Sequence, residues 1–389
     1  MTKYKSNTSS VPSQQRDKRG ARILAFLRYS IDPEHFEAPA MSESDWYLLY
    51  QFAFEHTILG VVFEGMNRYP QEDSAPPRKI VRDWVLKMLK IERRNKLTNH
   101  SISEITKQME DDGFKCCILK GQGNNPLYPN PYSRTPGDID LWMVQAEDGK
   151  PNVRHTIQYV RKHNPKGKVI YHHIDYGVFN HIDVEVHYRP SFMNNPVYNH
   201  RLQKWFLEHI DAQFTNKMIL PENSGTIAVP TLEFNAVFQL VHIYSHLLNR
   251  GIGMRQIIDY YYVVTALKDK QHLASTLRYL GLEKIASAVM WVLGHILGMN
   301  ECHYIVQPNE LLGRMMAREI LNGGNFGKYG KEGRHLQQLK GSSKWIFWFE
   351  KNLQRLKFDF QMVRFFPAEC LCEPLFRIYH FFWRCAHIV

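Results

Sequence analysis

The chain has 389 residues, 44% of them hydrophobic and 22% charged, and carries a formal net charge of +11. That length is too great for one ordinary core, and the composition is that of a soluble globular protein rather than of a disordered one. The basic surplus favours an anionic partner, whether nucleotide, nucleic acid or acidic lipid surface, and singles out none of them.

Residues 1–20 are polar and basic with no apolar h-region, so a disordered arm is expected there and no secretory signal. From 21 to 113 the pattern is helical. Trp46, Leu49, Phe52 and Phe54 lie near helical spacing, and Val81, Trp84, Val85, Met88, Leu89 and Ile91 mark a second helix. Pro77, after a Pro- and acid-rich stretch, suits a first helical turn. The period changes at Lys115–Leu119, a short strand. A loop rich in Pro, Asn and Gly then leads to an alternating strand, Asp138–Val144. A helix over 151–164, strands at 168–172 and 176–179, and a clear strand at 181–188 complete a small sheet domain over 114–197. Helices return over 198–389, notably 233–248, 256–267 and 283–297, with a Gly- and Lys-rich loop at 323–334. The fold class expected is α+β, a mixed sheet flanked by N-terminal helices and a larger C-terminal helical domain. Six cysteines match no zinc pattern or disulfide framework. No apolar run reaches the length of a membrane span, which leaves the cytoplasm as the default location.

Asp138 and Asp140 are two apart on one strand, so their side chains share a face, and two neighbouring carboxylates favour a bound cation. On the later strand His181, Asp183, Glu185 and His187 share one face while Ile182, Val184, Val186 and Tyr188 share the other. Three carboxylates on two strands suit hard cations, Mg²⁺ or Mn²⁺, as a pair about 4 Å apart. Each part has a plainer explanation: an Asp-x-Asp is common on exposed strands, and the histidines suit surface or hydrogen-bonding roles. Arg255 and Asp259 fall one helical turn apart, which suggests an ion pair, or for Arg255 a nucleotide contact. His242 and His246 share a helical face with no third ligand evident. Both Asp138 and Asp140 are expected at the sheet's edge, where their removal would cost little stability.

The run ILKGQGNNPLYPNPYSRTPGDIDLWM, with VEVHYRP and HLLNRGIGMRQIIDYYYVV, resembles the bacterial family of uncharacterised nucleotidyltransferases within the polymerase-beta-type superfamily. The resemblance runs from about Trp46 to Phe326. It implies that Gly121 lets backbone approach the phosphates, that Asp138, Asp140 and Glu185 are the metal and catalytic carboxylates, and that the nucleotide lies between sheet and C-terminal helices. The superfamily's glycine is followed by Gly or Ser; here Leu119-Lys-Gly-Gln122 supplies no hydroxyl. Lys120 and Arg134 are chemically suited to the phosphates instead, with Arg255 as a further nucleotide contact.

The expected activity is transfer of a nucleoside monophosphate from an NTP such as ATP, with release of pyrophosphate. The acceptor is open: RNA or tRNA, a small molecule or a protein hydroxyl. Aromatic clusters at Trp345–Phe349 and Tyr379–Trp383 would suit RNA, although such density is also that of a core. Two rivals are a catalytically silent NTP- or RNA-binding module and a metal-dependent hydrolase.

Overall fold

The computed structural model describes residues 13–70, 74–249, 251–339 and 343–388. Helix α1 (Ser13–Ile31) begins inside the stretch expected to be an arm, and residues 1–12 lie outside the described residues. Ser42 and Asp45 form a capping box that starts α2 (Glu43–Glu55), whose Trp46 and Leu49 are buried. Helix α3 (Leu59–Asn67) follows. Pro77 precedes α4 (Arg78–Asp111), a helix of 34 residues. Trp84 faces inward and donates its indole N–H to the Leu59 carbonyl, whereas Val85 and Leu89, expected on the apolar face, are exposed.

The sheet follows: β1 (Phe114–Leu119), β2 (Ile139–Gln145), α5 (Val153–His163), β3 (His173–Phe179) and β4 (Ile182–His187), in the order β1-β2-β4-β3. β1 runs antiparallel to β2, β2 parallel to β4, and β4 antiparallel to β3. The two short strands expected at 168–172 and 176–179 resolve differently: 173–179 is one strand, and the first contributes a single bridge, Val169 to Ile174. His181 is not on β4. With Asn180 it makes the hairpin turn in the left-handed region, at φ 64° and 47°.

The rest of the chain is α6 (Pro196–Glu208), α7 (Ile210–Thr215), a small hairpin of β5 (Lys217–Ile219) and β6 (Thr226–Ala228), α8 (Leu232–Leu248), α9 (Met254–Ala266), α10 (Lys270–Tyr279), α11 (Glu283–His295), α12 (Glu310–Gly323), α13 (Lys331–Gln338), α14 (Lys344–Val363) and α15 (Pro367–Ile388). The segment 323–334 is therefore only partly loop. The molecule is α+β, as the sequence pattern indicates.

Strand alternation divides the interior in two. Ile139, Leu141 and Met143 of β2, with Ile182, Val184 and Val186 of β4, pack below the sheet. Cys117, Leu119, Trp142 and Val144 point the other way, into a larger core shared with α1–α4 and the C-terminal helices. Asp140, Glu185 and His187 share the phase of Trp142, so the candidate site lies on the side of the larger core.

The loop between β1 and β2 is long, yet it is fixed by buried side chains at every stage. Asn95 of α4 donates to the Tyr132 and Arg134 carbonyls at 3.1 and 3.0 Å and accepts from Gln122 and Asn125. Asn235 and Gln239 of α8 both donate to Asn124 at 3.0 Å. Arg134 grips Asp259 of α9 through two bonds of 2.7 and 2.9 Å, and the Tyr128 hydroxyl donates to the same carboxylate at 2.6 Å. Arg255 makes no ion pair with Asp259. It donates to the Thr135 carbonyl at 3.1 Å instead.

Arg134 is 5% exposed, so removing its partner would leave a buried, uncompensated guanidinium. Asp259→Ala is expected to lower the unfolding free energy by about 3–5 kcal/mol. An apolar replacement of both partners at once, Arg134→Met with Asp259→Leu, should recover most of that loss. Urea denaturation of the three proteins checks this.

Candidate active site

The centre of the site is set by strand register. β2 and β4 pair in parallel with Asp140 directly opposite Glu185. Leu119, the last residue of β1, lies opposite Asp140 on the other side. The chain then turns sharply through Lys120 and Gly121, at φ 42° and 52°, and this brings the Lys120 ammonium 3.1 Å from Asp140 Oδ2. A left-handed lysine is uncommon. At Gly121 a side chain would meet only open space, with the nearest atom the Asp138 carbonyl oxygen at 3.8 Å.

Asp140 is buried, which corrects the expectation of two edge carboxylates: only Asp138, just ahead of β2, is exposed. His187 Nε2 lies 3.1 Å from Asp140 Oδ1 and 3.7 Å from Glu185 Oε2. His173 of β3 approaches Glu185 Oε2 from the other side at 3.2 Å. His172 completes a group of three imidazoles, with ring centroids 4.5 to 5.4 Å apart. Among the described residues, three sets place their ligand atoms within 4.8 Å of one another: Asp140, Glu185 and His187; His173, Asp175 and Glu185; and His172, His173 and His187. Asp138 is in none of them, and neither are His181 and Asp183. Asp183 is exposed beside Val178.

The electrostatics follow from this crowding. Burial works against the Asp140 carboxylate, but the Lys120 charge and the His187 hydrogen bond outweigh it and hold the group below the usual carboxylate range. Burial likewise opposes charge on His187, and Asp140 and Glu185 overcome it, raising the imidazole to about 9. Asp138 moves upward, chiefly through repulsion from Asp140. Burial pushes His173 down to about 3, with the His187 charge adding to the effect, and keeps His172 neutral as well. On α8, burial and the Lys120 charge lower His242 and His246. Arg255 comes close to Gly137, 3.6 Å from where a Cβ would stand, and so lies beside the chain entering Asp138.

The sequence reading missed His172 and His173, whose Tyr-His-His-Ile run carries no metal-site spacing. His187 takes the hydrogen-bonding role expected of it rather than the surface one: it is buried, with its ring nitrogen 3.1 Å from Asp140. The only signal for His187 was its phase on β4.

These charges give stability two opposite arms. His187, raised to about 9, contributes fully below about pH 6.5 and loses its contribution as pH climbs through 9. His173, lowered to about 3, contributes above about pH 6.5 and loses this as pH falls, and His172, His242 and His246 act in the same direction. The melting temperature should therefore peak near neutrality. His187→Gln should flatten the alkaline arm and leave the acid arm in place, as read by melting curves from about pH 5 to about pH 9.5.

A family model described as uncharacterised nucleotidyltransferase matches residues 42–298. No curated protein and no solved structure matches the chain. The matched span begins at the Ser42 cap of α2 and takes in the whole sheet, the loop between β1 and β2, and both α8 and α9. It thus contains every carboxylate, lysine and histidine of the cluster and Asp259, which holds the loop, and it covers well over half of the chain. The chain belongs to the uncharacterised nucleotidyltransferase family.

Proposed function

We propose that the protein is a metal-dependent nucleotidyltransferase that moves a nucleoside monophosphate from an NTP to an acceptor hydroxyl and releases pyrophosphate. The observation that carries this reading is the parallel register of Asp140 and Glu185, with Asp138 two residues ahead and Lys120 at the facing turn. The carboxylates offer hard oxygens, and Asp140 Oδ2 is buried with the Lys120 ammonium 3.1 Å away, a place where a cation already balances its charge. Both features fit Mg²⁺ or Mn²⁺ held by Asp138, Asp140 and Glu185. Divalent cations there would offset phosphate charge and make the acceptor hydroxyl more acidic.

The chain's own groups take the remaining roles. Glu185 accepts the proton of the attacking hydroxyl as its oxygen bonds to the α-phosphorus. The bond from that phosphorus to the bridging oxygen breaks, and pyrophosphate departs. Lys120 and Arg255 are the cations we assign to the phosphates, with Gly121 leaving room for their approach. Arg134 has its fork committed to Asp259 and acts by holding the loop that carries Asp138. The imidazolium of His187 keeps Asp140 and Glu185 ionised and oriented.

Labelled NTPs incubated with the purified protein, Mg²⁺ or Mn²⁺ and cell extract test the reading. Transfer predicts pyrophosphate release that depends on the extract, whereas release into water alone would identify a hydrolase. Asp138→Ala is the clean metal-site variant, because Asp138 is exposed; it should abolish transfer while leaving the melting temperature nearly unchanged. Asp140→Ala should instead destabilise the fold, since it strands Lys120 and His187.

Glu185 and Asp183 leave the same face of β4 about 7 Å apart, and only Glu185 stands opposite Asp140. Glu185→Gln should retain NTP binding and lose most of the chemical step, about 100-fold or more. Asp183→Asn should stay within about threefold of the parent. Single-turnover rates decide, and a dead Asp183→Asn beside an active Glu185→Gln would reverse the assignment.

A further inference from the structure

Helices α14 and α15 form an antiparallel hairpin beyond the matched span. Arg377 reaches Asn352 at 3.2 Å, and Arg355 meets Glu373 at 2.6 Å. One face is seated on the body. Phe358, Met362, Phe366 and Cys370 join the large core, and Glu369 accepts the backbone N–H groups of Asn194 and Asn195.

The outward faces are apolar as well. On α14, Trp345, Phe349, Leu356 and Phe360 recur at helical spacing on the solvent side, Trp345 at 69% and Phe360 at 84% exposure. On α15, Leu371, Leu375, Ile378 and Phe382 recur four, three and four residues apart, all exposed, Leu375 at 67%. Each of the two helices thus carries a second apolar stripe left exposed among the described residues, the kind of surface that marks an interaction site.

The charges beside the stripes are of one sign. Lys357 and Arg364 are exposed on the flank of the α14 stripe. Of the hairpin's acids, Asp359, Glu369 and Glu373 are buried, and Glu350 is half-buried beside His335. A second copy docked by symmetry would bring these cations face to face. An anionic surface would neutralise them while burying the stripes. Aromatic and aliphatic side chains flanked by Lys and Arg are the composition of a helix lying in a headgroup region. No helix among the described residues is long and apolar enough to cross a membrane, so the geometry is that of seating on a surface.

We propose that the α14–α15 hairpin seats this protein on the anionic face of a lipid bilayer, with the two stripes entering the headgroup layer and Lys357 and Arg364 meeting lipid phosphates. The proposal is independent of the reaction at the carboxylates. Its inner face nevertheless reaches the site: Phe376 stacks on Phe192 at 4.7 Å, and Phe192 lies 5.1 Å from His172. A seated hairpin therefore holds the cleft beside the lipid surface.

Co-sedimentation of the full chain with vesicles tests this, using phosphatidylglycerol–phosphatidylcholine mixtures against phosphatidylcholine alone. The expected result is binding that needs the anionic lipid and weakens about fivefold for each cation replaced in Lys357→Gln and Arg364→Gln. The pair Phe360→Asp and Leu375→Asp should abolish binding with the melting temperature unchanged, because both side chains are exposed. Emission from Trp345 and Trp348 should shift to the blue on anionic vesicles only. Failure to bind anionic vesicles, equal binding to neutral ones, or retained binding by the Asp pair overturns the proposal. So does a dimer, or an RNA complex, that forms without vesicle binding and that the Asp pair dissociates.

Discussion

The ionised Asp140 carboxylate, 2% exposed in the middle of a sheet, is the constraint from which the site follows. An isolated charge at that depth is too costly to persist, so two cations must reach it. Lys120 does so only because β1 ends opposite Asp140 and the backbone turns through a left-handed lysine, strain that the 3.1 Å contact over-determines. His187 does so because it lies two residues past Glu185 on the parallel neighbour and shares its face. The same arrangement that lets Asp140 be buried therefore fixes where Lys120, Glu185 and His187 stand.

A second requirement is that the loop carrying Asp138 hold one shape without regular structure. Its solution is a set of buried amides. Asn95 closes the loop onto α4, Asn235 and Gln239 close it onto α8, and Asp259 closes it onto α9 through Arg134 and Tyr128. The network leaves the loop little freedom, and it makes three distant helices part of the site although none supplies a carboxylate to it.

Much of this was legible in the chain. Alternation over Ile182–Val186 and Ile139–Met143 gives the sheet and its faces, and the Asp pair gives the site's position, because both signals are local and have a fixed period. What was hidden depends on long-range pairing. Nothing near Arg134 announces that its fork is taken by a carboxylate 125 positions later, and the spacing of Arg255 to Asp259 suggested a local pair that tertiary contacts override. The burial of Asp140 was misjudged for the same reason: a strand reads as an edge until the helices that cover it are placed. His173 reaches Glu185 only through the register of β3, which a shift between Asp175 and Gly177 makes irregular.

The distance in sequence between the loop and its last anchor also orders events during synthesis. A chain leaves the ribosome from its N-terminus, and early units fold first. When β4 emerges, α4 and all four strands are present, yet Asn235, Gln239 and Asp259 do not exist. Arg134 then has no counter-charge and Asn124 no donors from α8, so the loop cannot settle. The nascent protein passes through a stage with a complete sheet and an unassembled cleft, and becomes competent only after α9 has been made. A truncated product ending between β4 and α9 would carry every acidic residue assigned to the chemistry and still be inert.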